Sequence, residues 1–348
     1  MARELAEPAD PPAPPCIKEE RQRQDEKNRA EMEQIEHKFV EVEEGLKIHV
    51  AEIGAGDKVL FFLHGFPEIW YSWRHQMISL SKSGYRAVAV DYRGYGLSDP
   101  PPRLEDATFA KTVADLAAVL DSLNISKVVL IGKDTGAFIA SWFGVLHPKR
   151  VLGIVTMGIP LSVPGTASSF ISSTIPEGFY ALRWQEPGRA EADFGRVDAK
   201  TVIRNVYILF SGSEVPIAAE NQEIMDLVEP STPLPPWFTE EDLEAYGALY
   251  QKSGFQTALK MPYRSLDEQL EVPVSEVKFE VPTLLILGDK DYALKLPGME
   301  DYINYMLKEI VPDLKTTYLV EGTHFVQEQF PEEVNQLILD FLKVRIWA

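Results

Sequence analysis

From His37 onward the chain keeps two hydrophobic rhythms. Compact, mainly apolar runs at residues 59–63, 87–90, 128–131, 152–157 and 283–287 predict buried strands, and 318–320 is a shorter candidate. Elsewhere apolar side chains recur at helical spacing, as in Val113, Leu116, Leu120 and Leu123, and again in Val334, Leu337, Ile338 and Phe341. Apolar strands alternating with amphipathic helices imply an α/β fold, a mostly parallel sheet covered on both faces. Ahead of this series, residues 39–42 read as a strand. Leu46, Ile48 and Val50 then alternate with Lys47 and His49, which puts the apolar set on one face of a second strand. Glu44-Gly45 between them suggests an opening hairpin.

The alternation fails between about residues 160 and 272, where helical signals stand without a succession of strands. Thr239-Glu240-Glu241-Asp242 resembles a capping box, and Gly254 is placed to end that helix. The expected organisation is therefore a charged tail over 1–36, a core over 37–159, a helical cap inserted at 160–272, and the rest of the core at 273–348. The tail is rich in Pro, Glu, Lys and Arg and reads as flexible or loosely helical. No internal repeat is evident.

Composition narrows the partners. The 348 residues are 45% hydrophobic and 25% charged, with a net charge of −19. Ten acids and six bases among the first 36 residues leave about −15 on the body. Such a body repels nucleic acid and anionic membrane surfaces. No apolar run is long enough to span a bilayer, and the N-terminus has no signal-peptide core. The C-terminal Arg345-Ile346-Trp347-Ala348 matches no peroxisomal or retention signal. The single cysteine, Cys16, leaves no disulfide within the chain and fits a reducing compartment. A cytoplasmic protein, monomer or homodimer, without cofactor or metal, is the expectation.

The candidate chemistry gathers after the strands, where α/β sheets place their ligands. Residues 128–131 run into Gly132-Lys133-Asp134-Thr135-Gly136, a small-x-Asp-x-small turn that leads directly into a helical pattern. This has the form of a nucleophile elbow with a carboxylate at its tip. An aspartate is already ionised near neutral pH and can displace a leaving group from an sp³ carbon without a base. His64-Gly65-Phe66-Pro67-Glu68 follows the 59–63 run and would lie beside that turn, so the N–H groups of Phe66 and Thr135 could hold a developing oxyanion. Release of an ester on Asp134 would need a base for water. Of the six histidines, His324 alone follows a late strand in the order nucleophile, acid, base. Asp289 and Asp291 both follow the 283–287 run. Either could orient His324, and spacing does not choose between them. Lys133, next to the nucleophile, fits a structural or outer position from which its charge helps keep the carboxylate ionised.

Together these segments resemble the epoxide hydrolase branch of the α/β-hydrolase family, the soluble plant and animal type. The resemblance covers about residues 39–342. It runs through 64–68, Trp70-Tyr71-Ser72-Trp73-Arg74 and Asp91-Tyr92-Arg93-Gly94-Tyr95-Gly96, then the elbow, 184–191, Lys252-Ser253-Gly254-Phe255, 322–325 and Glu333-Val334-Asn335-Gln336. It implies Asp134 as nucleophile, Asp291 as the acid of the triad and His324 as base. It also implies two tyrosines, Tyr180 and Tyr263, that polarise the epoxide oxygen from the cap, and it places His64, Pro67 and Trp184 along the substrate pocket. The partner it implies is a small, apolar, epoxide-like substrate. Two departures stand out. The familiar elbow is His-Asp-Trp, and here it is Lys133-Asp134-Thr135, which exchanges an indole wall for a hydroxyl. Pro262 stiffens the backbone beside Tyr263.

The implied reaction is attack of Asp134 on an epoxide carbon, proton donation by the tyrosines, and hydrolysis of the ester by water activated at His324. Haloalkane dehalogenation is a second reading, weakened by Thr135 where a halide-binding Trp is usual. A lyase, isomerase or cyclase of specialised metabolism on the same scaffold is a third. A non-hydrolytic small-molecule receptor is a fourth, though a receptor has no evident need for all five of these side chains.

Overall fold

The computed structural model describes residues 30–166, 175–270 and 272–348, so most of the expected tail, and Cys16 with it, lies outside the described residues. Eight strands form one sheet: β1 (Glu36–Glu41), β2 (Lys47–Ile53), β3 (Val59–Leu63), β4 (Arg86–Val90), β5 (Val128–Lys133), β6 (Val151–Met157), β7 (Thr283–Gly288) and β8 (Leu314–Leu319). Their order is β1-β2-β4-β3-β5-β6-β7-β8. β1 and β2 are an antiparallel hairpin, β2 joins β4 antiparallel, and all later pairings are parallel.

Every residue of β3, β5 and β7 is buried, as an uninterrupted apolar run requires of a strand covered on both faces. Helices α1 (Arg74–Lys82), α2 (Phe109–Ser122) and α3 (Thr135–Leu146) make the crossovers. α2 and α3 both carry the chain in one direction across the sheet, and α1 carries it in the other. Right-handed crossovers therefore put α2 and α3 on one face and α1 on the opposite face. The direction reverses between β3 and β5, which opens a crevice at their carboxyl ends.

The strand expectations hold, with two corrections. In β2 the apolar alternation suggested a polar outer face, but His49 is fully buried. It sits 2.9 Å from Asp91 Oδ2 through Nδ1 and 2.9 Å from His37 Nδ1 through Nε2. The last strand lies earlier than 318–320, because Val320 is 75% exposed in the turn that follows. At the sheet edge β8 is only half-buried, and apolarity is a poor marker of a strand there.

Between β6 and β7 the described residues hold no strand. The main helices are α4 (Ala199–Phe210), α5 (Glu240–Ser253) and α6 (Gln256–Arg264), with shorter turns at Tyr180–Arg183 and Arg189–Phe194. Thr239 and Asp242 cap α5 reciprocally, and Gly254 ends it with φ of 69°. Buried polar contacts tie this segment to the strand ends. Tyr250 Oη donates to the Glu68 carbonyl at 3.2 Å, and Tyr95 Oη donates to the Ala258 carbonyl at 2.9 Å. Arg74 reaches Asp242 of α5 at 2.8 Å and Glu328, beyond β8, at 2.5 Å. α7 (Pro331–Phe341) closes the fold.

Candidate active site

The turn after β5 holds Asp134 at φ 53° and ψ −121°, a conformation that costs an L-residue about 1–3 kcal/mol and persists only when the surroundings enforce it. Close backbone packing does so here. A Cβ on Gly132 would lie 2.4 Å from the Gly136 carbonyl oxygen, and one on Gly136 would lie 2.0 Å from that of Leu63. The small residues around the aspartate let α3 start flush against β3 and β5. The Asp134 amide donates to the Met157 carbonyl at 3.1 Å, and its side chain keeps 17% exposure.

The loop after β3 supplies the facing donor. Phe66 N–H donates to Asp134 Oδ1 at 3.1 Å, and the Phe66–Pro67 peptide bond is cis. Thr135 adds its hydroxyl, which donates to the same oxygen at 3.0 Å, and its backbone N–H. Donors aimed at the resting carboxylate are also aimed at the oxyanion that forms when an ester at this carbon is attacked.

On the other side, His324 Nε2 stands 3.3 Å from Asp134 Oδ2, while His324 Nδ1 donates to Asp291, 3.0 Å from each oxygen. The choice left open by spacing is decided by this geometry. Asp289 instead accepts the Glu321 amide at 2.8 Å in the adjoining turn. The two late loops approach closely enough that a Cβ on Gly288 would sit 2.2 Å from the Gly322 carbonyl oxygen. Burial raises the proton affinity of Asp134, but hydrogen bonding and charge from His324, the Lys133 charge and the Thr135 N–H outweigh it and hold the carboxyl below its ordinary range. For His324 burial works against protonation. The Asp291 charge and the hydrogen bonds to both aspartates prevail, so its pKa lies above the usual histidine value, with Lys133 pulling it down.

Lys133 is fully buried beneath this set. Its Nζ stands 3.4 Å from Glu68 Oε2 and 4.3 Å from the centre of the Phe325 ring. Glu68 in turn accepts the Gly65 amide at 3.0 Å and Gln327 Nε2 at 2.5 Å. One ion pair thus braces the loops after β3, β5 and β8. His64 belongs to the same underside: it is fully buried, stacked on Tyr92 at 4.0 Å, and pushed down to a pKa of about 4 by burial. Its Nδ1 donates to the Gly65 carbonyl at 2.9 Å, which supports the turn after β3. Pro67 is buried in that turn too.

Trp184, 1% exposed, stands edge-on between the two tyrosines, with ring centres 4.9 Å from Tyr180 and 5.1 Å from Tyr263. Phe66 packs edge-on against Trp184 and Tyr263, each at 5.5 Å. The rings of Tyr180 and Tyr263 are 6.2 Å apart. Burial and the Asp134 charge raise the pKa of both phenols, with Tyr180 adding to the shift of Tyr263, so both keep their protons. A cleft of about 440 Å³ borders Tyr263 together with Leu104, Gln185 and Lys260.

Sequence reasoning passed over Tyr292, whose hydroxyl lies 2.8 Å from that of Tyr180. It also missed the roles of Glu68 and Gln327. Tyr292 had one available signal, its place next to Asp291. Glu68 and Gln327 had none, because a polar residue in a loop or a single helical turn carries no periodic mark. Among the described residues no cluster of three or more His, Cys, Asp or Glu is arranged to hold a metal ion, and no helix is long and apolar enough to cross a membrane.

Comparison with known proteins adds an independent view. The profile of the alpha/beta hydrolase fold matches residues 58–331. The chain is 38% identical to epoxide hydrolase 2 of Siraitia grosvenorii, over 90% of this chain and 99% of that one. It is 30% identical to bifunctional epoxide hydrolase 2 of Rattus norvegicus, over 90% of this chain and 56% of that protein. Among solved structures, a Vigna radiata epoxide hydrolase mutant superposes with a TM-score of 0.82 at 37% identity, covering 89% of this chain and 99% of the other. Epoxide hydrolase I of potato, Solanum tuberosum, gives 0.79 at 33% identity, with 89% and 99% covered.

Proposed function

The chain belongs to the alpha/beta hydrolase fold family, and from that premise we propose that it is an epoxide hydrolase, converting a small apolar epoxide to a vicinal diol through an ester on Asp134. The observation that carries this reading is one carboxylate held from two sides. Oδ1 of Asp134 receives Phe66 N–H at 3.1 Å, and Oδ2 faces His324 Nε2 at 3.3 Å. The relatives named as epoxide hydrolases support it.

Asp134 attacks an epoxide carbon opposite the C–O bond, which breaks as the ester bond forms. The departing oxygen takes a proton from a phenol, with Tyr180 and Tyr263 as donors. His324, oriented by Asp291, removes a proton from water as that water adds to the ester carbonyl. Phe66 and Thr135 hold the oxyanion. Collapse transfers the His324 proton to the leaving diol oxygen. The proton left on the Asp134 carboxyl restores the phenol, so water supplies every atom gained. The helices between β6 and β7 serve as a cap, and the aromatic set Phe66, Tyr180, Trp184 and Tyr263 suits an apolar substrate. Thr135 turns its hydroxyl onto Asp134 and offers no indole, which gives a dehalogenase less support.

The test is a single turnover with enzyme in excess in ¹⁸O-labelled water. The first diol should carry unlabelled oxygen drawn from Asp134, with label appearing in the protein. Label entering that first diol directly would falsify the ester.

A further inference from the structure

Tyr292 sits on the turn that also carries Asp291, and it is buried. Its hydroxyl lies 2.8 Å from the hydroxyl of Tyr180. Its ring is 5.0 Å from that of His324 and 5.2 Å from Phe210, so it fills the space between the base and the first of the two tyrosines. Two phenols at this distance share one hydrogen bond, and its polarity decides what Tyr180 can do. If Tyr180 donates to Tyr292, its only proton is turned away from substrate. If Tyr292 donates, the Tyr180 oxygen is the acceptor and its own proton is free for the epoxide oxygen.

Resting on the epoxide hydrolase reading, we propose that Tyr292 is a positioning residue for ring opening: it donates to the Tyr180 oxygen, aims the Tyr180 proton at the epoxide, and stabilises the Tyr180 phenolate once that proton has moved. Either oxygen can donate across this 2.8 Å contact, and this polarity is the one that leaves a proton on Tyr180 for the epoxide oxygen, while burial keeps both phenols protonated. No proton leaves Tyr292 in this scheme. The epoxide oxygen takes the Tyr180 proton as the Asp134–carbon bond forms. Tyr292 keeps its own proton while its hydrogen bond becomes charge-assisted, a change that strengthens it selectively in the transition state. Tyr263 has no such partner among the contacts described. The arrangement therefore makes Tyr180 the stronger acid of the pair, although the two tyrosines look alike in sequence.

The test compares Tyr292→Phe, Tyr180→Phe and the double variant in rapid-mixing single turnovers that separate ester formation from ester hydrolysis. One lost hydrogen bond of about 1.4 kcal/mol corresponds to a roughly tenfold slower ester formation in Tyr292→Phe. Ester hydrolysis should stay within about twofold, because Tyr292 acts through Tyr180 and not through water. In the Tyr180→Phe background the added Tyr292→Phe change should cost less than about twofold, since the acceptor that gives it meaning is gone. An equal cost in both backgrounds, or a loss confined to hydrolysis, overturns the proposal. Failure of the underlying reading would look different, because no ester would form in any variant or in the parent enzyme, whereas ring opening left untouched by Tyr180→Phe would overturn the proposal itself. Fluorotyrosine at 292, a better donor of the same shape, serves as a second probe independent of the truncation. It should form ester at least as fast as the parent, and a slower rate counts against the hydrogen bond.

Discussion

The strand-end loops and the helical segment above them hold their functional side chains by different means. Asp134, His324, Asp291 and Phe66 all follow parallel strands whose register fixes them to one edge of the sheet. Leu63 pairs with Gly132, Met157 with Ile286, and Gly288 with Leu319. Backbone contacts so tight that a Cβ would not fit then set each turn. Tyr180, by contrast, lies on a four-residue helix, held by side-chain packing against Phe179 at 4.6 Å, Phe210 at 4.7 Å and Trp184 at 4.9 Å. Geometry imposed by backbone is inherited from the topology, whereas geometry imposed by side chains must be specified residue by residue. The first region should therefore lose function abruptly when a reacting group is replaced and the second by degrees.

The sharpest way to break this contrast is His324→Gln. Its ring is fully buried and fixed by Asp291 on one nitrogen, so no neighbouring base can swing into its place. Turnover should fall about 10³-fold or more, while the first ester still forms and accumulates, visible as a stable mass increase equal to the epoxide. Loss of ester formation on the same scale would mean that His324 is needed before hydrolysis, and the division of labour would be wrong.

The same contrast explains what could be read from sequence. The strands, their order relative to the Asp134 turn and the chain order of the candidate nucleophile, acid and base were legible, because buried parallel strands are continuous apolar runs and sites lie beyond their ends. Asp291 could not be separated from Asp289 by spacing, since the choice depends on which carboxylate faces the neighbouring loop. Tyr180 and Tyr263 were two tyrosines among 13 until resemblance singled them out. Tyr292 and the Lys133–Glu68 pair stayed out of view. A hydrogen bond between residues 112 apart in sequence, or an ion pair under a turn, leaves no periodic trace.

A second prediction concerns the joint between the regions. Arg74 donates to Glu328 at 2.5 Å and to Asp242 at 2.8 Å, and Tyr207 and Tyr246 donate to the other oxygen of Glu328 at 3.0 and 3.2 Å. Burial pushes the Glu328 carboxyl up to about 7 even with Arg74 beside it. Arg74→Met leaves two buried carboxylates short of their cation and should cost about 3–5 kcal/mol. The pH dependence has a definite sign. A carboxyl whose folded pKa lies above its unfolded value binds its proton more tightly when folded, so its contribution to stability falls as pH rises between the two values. Removing Arg74 raises the Glu328 value further, so the loss should be larger in urea unfolding at about pH 8.5 than at about pH 5.5. An equal loss at both would remove Glu328 from the account.

The smallest effect tests Lys133, one of the two elbow positions, with Thr135, where the backbone-determined site departs from the familiar motif. Lys133 lowers the proton affinity of His324, and His324 must be neutral to activate water. Lys133→Met should therefore raise the His324 pKa and move the acid limb of ester hydrolysis to higher pH, slowing hydrolysis at about pH 6 and leaving the alkaline plateau unchanged. The shift is modest for a physical reason. Glu68, already pushed toward its protonated form by burial and held down by Lys133, takes up a proton when the cation goes, and so withdraws a negative charge that had favoured protonated His324. The Lys133 effect is the larger of the two on His324, so the net movement remains upward, and Lys133→Met with Glu68→Gln should behave like Lys133→Met alone. The ester stage is the right one to measure, because alkylation has already removed the carboxylate hydrogen bond from Asp134 that raises His324 in the resting enzyme. A limb that moves to lower pH, or a double variant that departs from the single one, would show that the ion pair acts through the shape of the Phe66 turn and not through its charge.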